Sequence, residues 1–160
     1  MKANVFEIAC AIADDEWVRS ARLRSDPESE PVFDCFYGFV QVSAHNRDLF
    51  IPRPLRISVA DLACSLALRL DEGYLGADST LEARYRQGDD ALEIKFQIAG
   101  EAVRVTANHS SSQIIETDRD ACKGGILRFL EDFAAQLVMR VPEPFEWKDL
   151  AVLKRYGPPV

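Results

Sequence analysis

The sequence predicts an α+β domain: a single, mostly antiparallel sheet of five or six strands with two or three helices packed on one face. Three observations carry that prediction. Residues 80–108, TLEARYRQGDDALEIKFQIAGEAVRVTAN, alternate apolar and polar side chains in three runs separated by two turn signals. Residues 58–70 and 118–141 instead repeat apolar side chains at helical spacing. Each of these two runs opens on a residue suited to capping a helix.

Taken in order, residues 5–13 read as a strand, with Phe6, Ile8, Cys10 and Ile12 on one face and the small Ala9 and Ala11 on the other. Asp14, Asp15 and Glu16 mark its end. Between 17 and 31, Arg19, Arg22 and Arg24 precede an acidic stretch rich in Ser and Pro, which predicts a loop with at most a short helical turn over 18–23. The segment 32–42, VFDCFYGFVQV, is apolar on both faces in its middle, as in a strand covered on both sides. Phe33, Phe36 and Phe39 are therefore read as core. Leu49, Phe50 and Ile51 predict a short edge strand that Pro52 and Pro54 end.

Ser58 and Asp61 form a variant capping box, with Val59, Leu62, Ala63, Leu66 and Leu70 repeating behind it and Gly73 as the stop. In the three-stranded stretch, Gly100-Glu101 fits a two-residue hairpin loop with glycine first. That loop sets Ile98 opposite Val103, Phe96 opposite Val105 and Ile94 opposite Ala107. Pairing across 87–90 sets Tyr85 opposite Leu92, Ala83 opposite Ile94 and Leu81 opposite Phe96, all on one apolar face. The other face then pairs Arg84 with Glu93 and Glu82 with Lys95, so a one-residue slip would break two independent patterns. Ile114 and Ile115 predict one more strand before Thr117 or Asp118 caps the last long helix, which Gly124 and Gly125 weaken near its start. Pro142 stops it. Phe145 and Trp147 anchor the tail, a final helix follows over 148–156, and 157–160 are a tail. All 160 residues are read as one domain.

The net charge of -7 argues against a nucleic-acid binder that works through bulk phosphate attraction. The start of the chain is too short and too polar for a signal peptide, and no apolar run approaches a membrane span, so a cytoplasmic location is expected. Cys10, Cys35, Cys64 and Cys122 are widely spaced and read as reduced, buried thiols. No His/Cys spacing suggests zinc, and no Gly-rich phosphate loop, nucleophile elbow or dinucleotide fingerprint is present, so neither a metal nor a cofactor is expected. Acid pairs such as Asp14/Asp15 and Asp89/Asp90 fall at turns and helix starts, where local structure favours them. One nucleophile arrangement stays open: His109 with Cys10 or Cys35, brought together by the fold.

The order of elements from Phe33 through the 58–70 helix, the LEARY and LEIKFQI strands and the ETDRDACKGGILRFLEDF helix resembles the small acidic immunity-type proteins of bacterial polymorphic-toxin systems. The likeness covers about two thirds of the chain and rests on element order and composition. It implies a protein-binding module, not an enzyme, that neutralises a basic partner toxin by covering its active surface. The residues expected to meet that partner are Asp14, Asp15 and Glu16 after the first strand, Asp89 and Asp90 at the turn, and Trp147 as an apolar anchor. Two alternatives are an acidic secretion-chaperone-like dimer and a small enzyme using a cysteine with His109.

Overall fold

The computed structural model describes residues 5–23, 35–45, 47–50, 55–73, 75, 80–87, 90–107 and 114–159, with the backbone alone described for 80–87 and 90–92. In chain order the elements are β1 (Phe6–Ala11), α1 (Asp14–Leu23), β2 (Tyr37–Ala44), β3 (Arg47–Asp48), β4 (Leu55–Ser58), α2 (Val59–Asp71), β5 (Thr80–Gln87), β6 (Asp90–Ala99), β7 (Ala102–Ala107), β8 (Ile115–Asp118) and α3 (Arg119–Arg140). Two short 3-10 helices follow at Pro144–Glu146 and Ala151–Tyr156. The class is α+β, but the strands form two antiparallel sheets of four rather than the single sheet expected.

In the first sheet β2 is central. β1 runs along one side of it, and β3 and β4 occupy opposite ends of the other. The second sheet is the meander β5-β6-β7 with β8 added at its edge. Its register is the one that alternation and charge pairing predict: Tyr85 lies opposite Leu92, Leu81 opposite Phe96, Phe96 opposite Val105 and Ile98 opposite Val103. Gly100 supplies the positive φ of 60° that a glycine-first hairpin turn requires.

One core joins the two sheets. Phe6 of β1 meets Phe96 of β6 edge to face at 6.2 Å, and the buried sides of α2 and α3 pack between and over the inner faces. The capping of α2 is as expected: the Ser58 hydroxyl accepts from the Asp61 amide at 3.2 Å, and Gly73 ends the helix at φ 76°. Asp118 caps α3, accepting from the Ala121 amide at 2.7 Å. The buried stripe of α3 runs through Cys122, Gly125, Phe129 and Phe133. Gly125 is there for contact: a Cβ on it would fall on the Phe6 carbonyl and 2.6 Å from Phe6 Cδ1. The glycine that weakens the isolated helix is what lets α3 lie against β1.

Four local expectations are corrected. Residues 14–23 form a helix, not a loop, because Asp14, Asp15 and Glu16 complement its N-terminal dipole and Arg22 its C-terminus. Its buried side is Glu16, Trp17 and Ser20, so polar residues hold two of three inward positions and hide the helical period. β2 begins at Tyr37, since Phe36 sits at φ 57° and bends the chain before it. The edge strand is Arg47–Asp48 rather than 49–51, with Leu49 and Phe50 buried beyond it. Over 148–156 a turn and a 3-10 helix replace the expected α-helix.

Candidate functional site

Sheet one has an inner face, Phe6, Ile8, Val40, Val42, Ala44 and Ile57, that is buried. On its outer face Glu7, Ala9, Ala11, Phe39 and Arg56 are exposed and Gln41, Ser43 and Asp48 are half-buried. Strand alternation and the register place four rows there: Tyr37 and the buried Ser58 in one, Ala11, Phe39 and Arg56 in the next, Ala9 and Gln41 in the third, and Glu7, Ser43 and Asp48 in the fourth. Phe39 stands in the central strand and is 52% exposed. Its β1 neighbours on that face, Ala9 and Ala11, are too small to cover its ring, so the ring projects from a shallow surface with Arg56 beside it and Glu7 and Asp48 at the far end of the face. Phe39 was expected in the core. The bend at Phe36 sets the phase of the strand, and Gln41 and Ser43, two and four residues on from Phe39, mark that phase as outward.

The bend itself is closed to ligands. Cys35 and Phe36 are fully buried, and four hydrogen bonds hold the backbone around the bend. The Phe36 amide donates to Ser20 Oγ at 2.8 Å, the Tyr37 amide to Glu16 Oε1 at 3.1 Å, and the Val59 amide to the Phe36 carbonyl at 3.0 Å. Ser58 Oγ donates to the Cys35 carbonyl at 2.8 Å. A left-handed conformation at a bulky residue is strained, and this set of bonds holds it in place. The ring of Phe36 lies 5.5 Å from Trp17, 6.3 Å from Phe133 and 5.7 Å from Trp147.

Among the residues expected to meet a partner, the structure separates outward from inward. Asp14 and Asp15 are exposed at the start of α1, and Asp14 pairs with Arg140 at 2.8 Å. Glu16 turns inward and is 9% exposed. Burial alone would raise its carboxyl; the bonds from Arg19, the Tyr37 amide and Ser20 outweigh that and hold it below the usual range. It is therefore a structural clamp, with Arg19 Nη2 at 2.6 Å and Nε at 2.9 Å. Trp147 is half-buried against Phe36, and its indole N–H is buried without an acceptor, so it anchors the tail inward. Asp89 and His109 lie outside the described residues, and Asp90 is placed only as the first residue of β6, opposite Gln87.

A second concavity, about 960 Å³ and open, lies where β8 meets the end of β2. His45, Arg47, Glu101, Ile114 and Glu116 line it. Two of its acids are engaged: Glu116 pairs with Arg104 at 3.2 Å and Asp118 caps α3. The hydroxyl of Thr117, which also lines it, is buried with no hydrogen-bond partner among the described residues.

The four cysteines are free thiols. Burial raises Cys10 to about 11 and Cys64 and Cys122 to about 12, with Asp132, Asp61 and Asp118 adding to the shift at each. A nucleophilic cysteine needs the opposite shift. Among the described residues no cluster of His, Cys, Asp and Glu is arranged to hold a metal ion, and no helix is long and apolar enough to cross a membrane. No protein-family model, curated protein or solved structure matches the chain.

Proposed function

We propose that this protein is a protein-binding module of the immunity type, holding a partner toxin by surface contact and masking the toxin's active surface. One observation carries the reading: Phe39, half-exposed on the central strand of an outward-facing sheet surface. Aromatic side chains at the centre of a contact supply most of the binding energy in interfaces of this kind. The net charge of -7 suits a basic partner and would speed its approach. Glu7 and Asp48 lie on this face, and Asp14 and Asp15 follow three and four residues beyond Ala11.

The test is co-expression with the product of the neighbouring gene, using wild type and Phe39→Arg. Wild type should co-purify with that product and protect the host. Phe39→Arg should keep its circular dichroism and lose both properties. No complex and no protection with the wild type would remove the reading.

A further inference from the structure

The same face matches itself. Beyond the row of Tyr37 and Ser58, three rows run from Ala11, Phe39 and Arg56 to Glu7, Ser43 and Asp48. Arg56 and Asp48 make no ion pair among the described residues. Two copies can lay this face against each other about a two-fold axis in the plane between them, and two orientations of that axis are available. With the axis along the strands, Glu7 would face the partner's Asp48, placing like charges together. With the axis across the strands through Gln41, Arg56 of each copy faces the partner's Asp48, and Phe39 faces the partner's Ser43. Ala9 then faces the partner's Ala9, and these small residues let the sheets approach closely.

We infer that in the free protein this face is closed by a second copy of the chain, with the two-fold axis at Gln41 and running across the strands. The inference rests on the reading of the face as a protein-binding surface and names its first occupant; a heterologous partner would have to displace that copy. Three strands spaced ~4.8 Å apart and six residues long at ~3.3 Å each give a patch of about 300 Å² in plan. Stable interfaces bury about 800 Å² on each side, so the dimer is weak and exchanges readily.

Sedimentation equilibrium from about 1 to about 500 µM tests this, since that span covers the affinities a patch of this size can reach. Wild type should shift from monomer to dimer within it. Arg56→Asp alone and Asp48→Arg alone each bring like charges together twice and should weaken dimerisation by about tenfold or more. The doubly substituted chain should dimerise like wild type, and an equimolar mixture of the two single variants should form a heterodimer. A wild type monomeric at the top of the range overturns the inference, as does a double variant as weak as the singles. If the wild type is monomeric but Phe39→Arg still abolishes the complex with the neighbouring gene product, the binding face stands and only its self-pairing falls. If the wild type dimerises by these rules but Phe39→Arg leaves that complex intact, the masking role falls instead.

Discussion

Alanine at Gly124 and alanine at Gly125 should move stability in opposite directions, although the two positions are adjacent in the same helix. Both substitutions gain helix propensity, about 1 kcal/mol each. At Gly124 the new methyl group would meet only the guanidinium of Arg128, the far end of a flexible side chain, at 3.4 Å, so most of that gain should survive. At Gly125 it would strike the Phe6 carbonyl and approach the Phe6 ring at 2.6 Å and its carbonyl carbon at 2.9 Å. Those atoms belong to a strand paired with β2 and cannot step aside cheaply. Overpacking of this kind costs about 1–3 kcal/mol. Arg128 Nη2 also donates to the Phe6 carbonyl at 3.1 Å, and displacing that bond adds about 0.5–1.5 kcal/mol. Gly124→Ala should thus stabilise by ~0.5–1 kcal/mol and Gly125→Ala destabilise by ~1–3 kcal/mol. Urea unfolding followed by far-ultraviolet circular dichroism reads both, and melting midpoints should separate by several degrees, at ~2–4 °C per kcal/mol. A Gly125→Ala chain as stable as Gly124→Ala would refute the close-contact account of α3 on β1.

Three further substitutions and treatments follow from the buried ionisable groups. Glu16→Gln should destabilise at neutral pH by about 1.5–3 kcal/mol, because the bonds at Glu16 involve a charge. The folded carboxyl is held low, so its stabilising contribution exists above its unfolded value near 4.5 and fades as pH falls through the folded value. The gap between wild type and variant in urea titrations should therefore close on acidification. Asp61 behaves oppositely: burial raises it to about 6, so ionising it opposes folding, and stability is gained as pH falls from about 6 toward 3.8. Asp61→Asn should stabilise by ~1–2 kcal/mol at neutral pH after losing a small helix-dipole term, and thermal melts near pH 4 should show no advantage. With Cys10 at about 11, its thiolate fraction near pH 8 is about 10⁻³, so alkylation of the native protein should run ~10²-fold slower than of a free cysteine. Rapid labelling of Cys10, read by mass spectrometry, would instead favour a cysteine chemistry.

What was legible in the sequence were features whose causes are local. The meander register rests on two patterns, apolar alternation and opposite-charge pairs, that lie within one stretch of chain, and both point to the pairing found. Ser58 and Asp118 cap their helices through residues three positions away. The division into two sheets has no local cause: β2 takes its partners from residues 6–11 and 55–58, and alternation says nothing about which strand a strand adopts. Helix α1 stayed hidden because Glu16 and Ser20 occupy inward positions as hydrogen-bonding groups, where a periodicity argument looks for apolar ones. Phe39 was misassigned for a related reason. Its hydrophobicity outweighed the polar phase set by Gln41 and Ser43, although that phase was the better guide to which way the strand faces.

The crowding around Phe36 decides how the protein can be observed. The chain has two tryptophans, and both Trp17 and Trp147 pack on this one ring. Tryptophan emission, excited where tyrosine does not absorb, therefore reports on a single corner, where α1, the bend and the tail meet, and it carries no direct signal from β5, β6 or β7. A fluorescence transition would be blind to loosening of the meander, while backbone circular dichroism would register it. Disagreement between the two signals would then mark an intermediate in which one sheet has opened before the other.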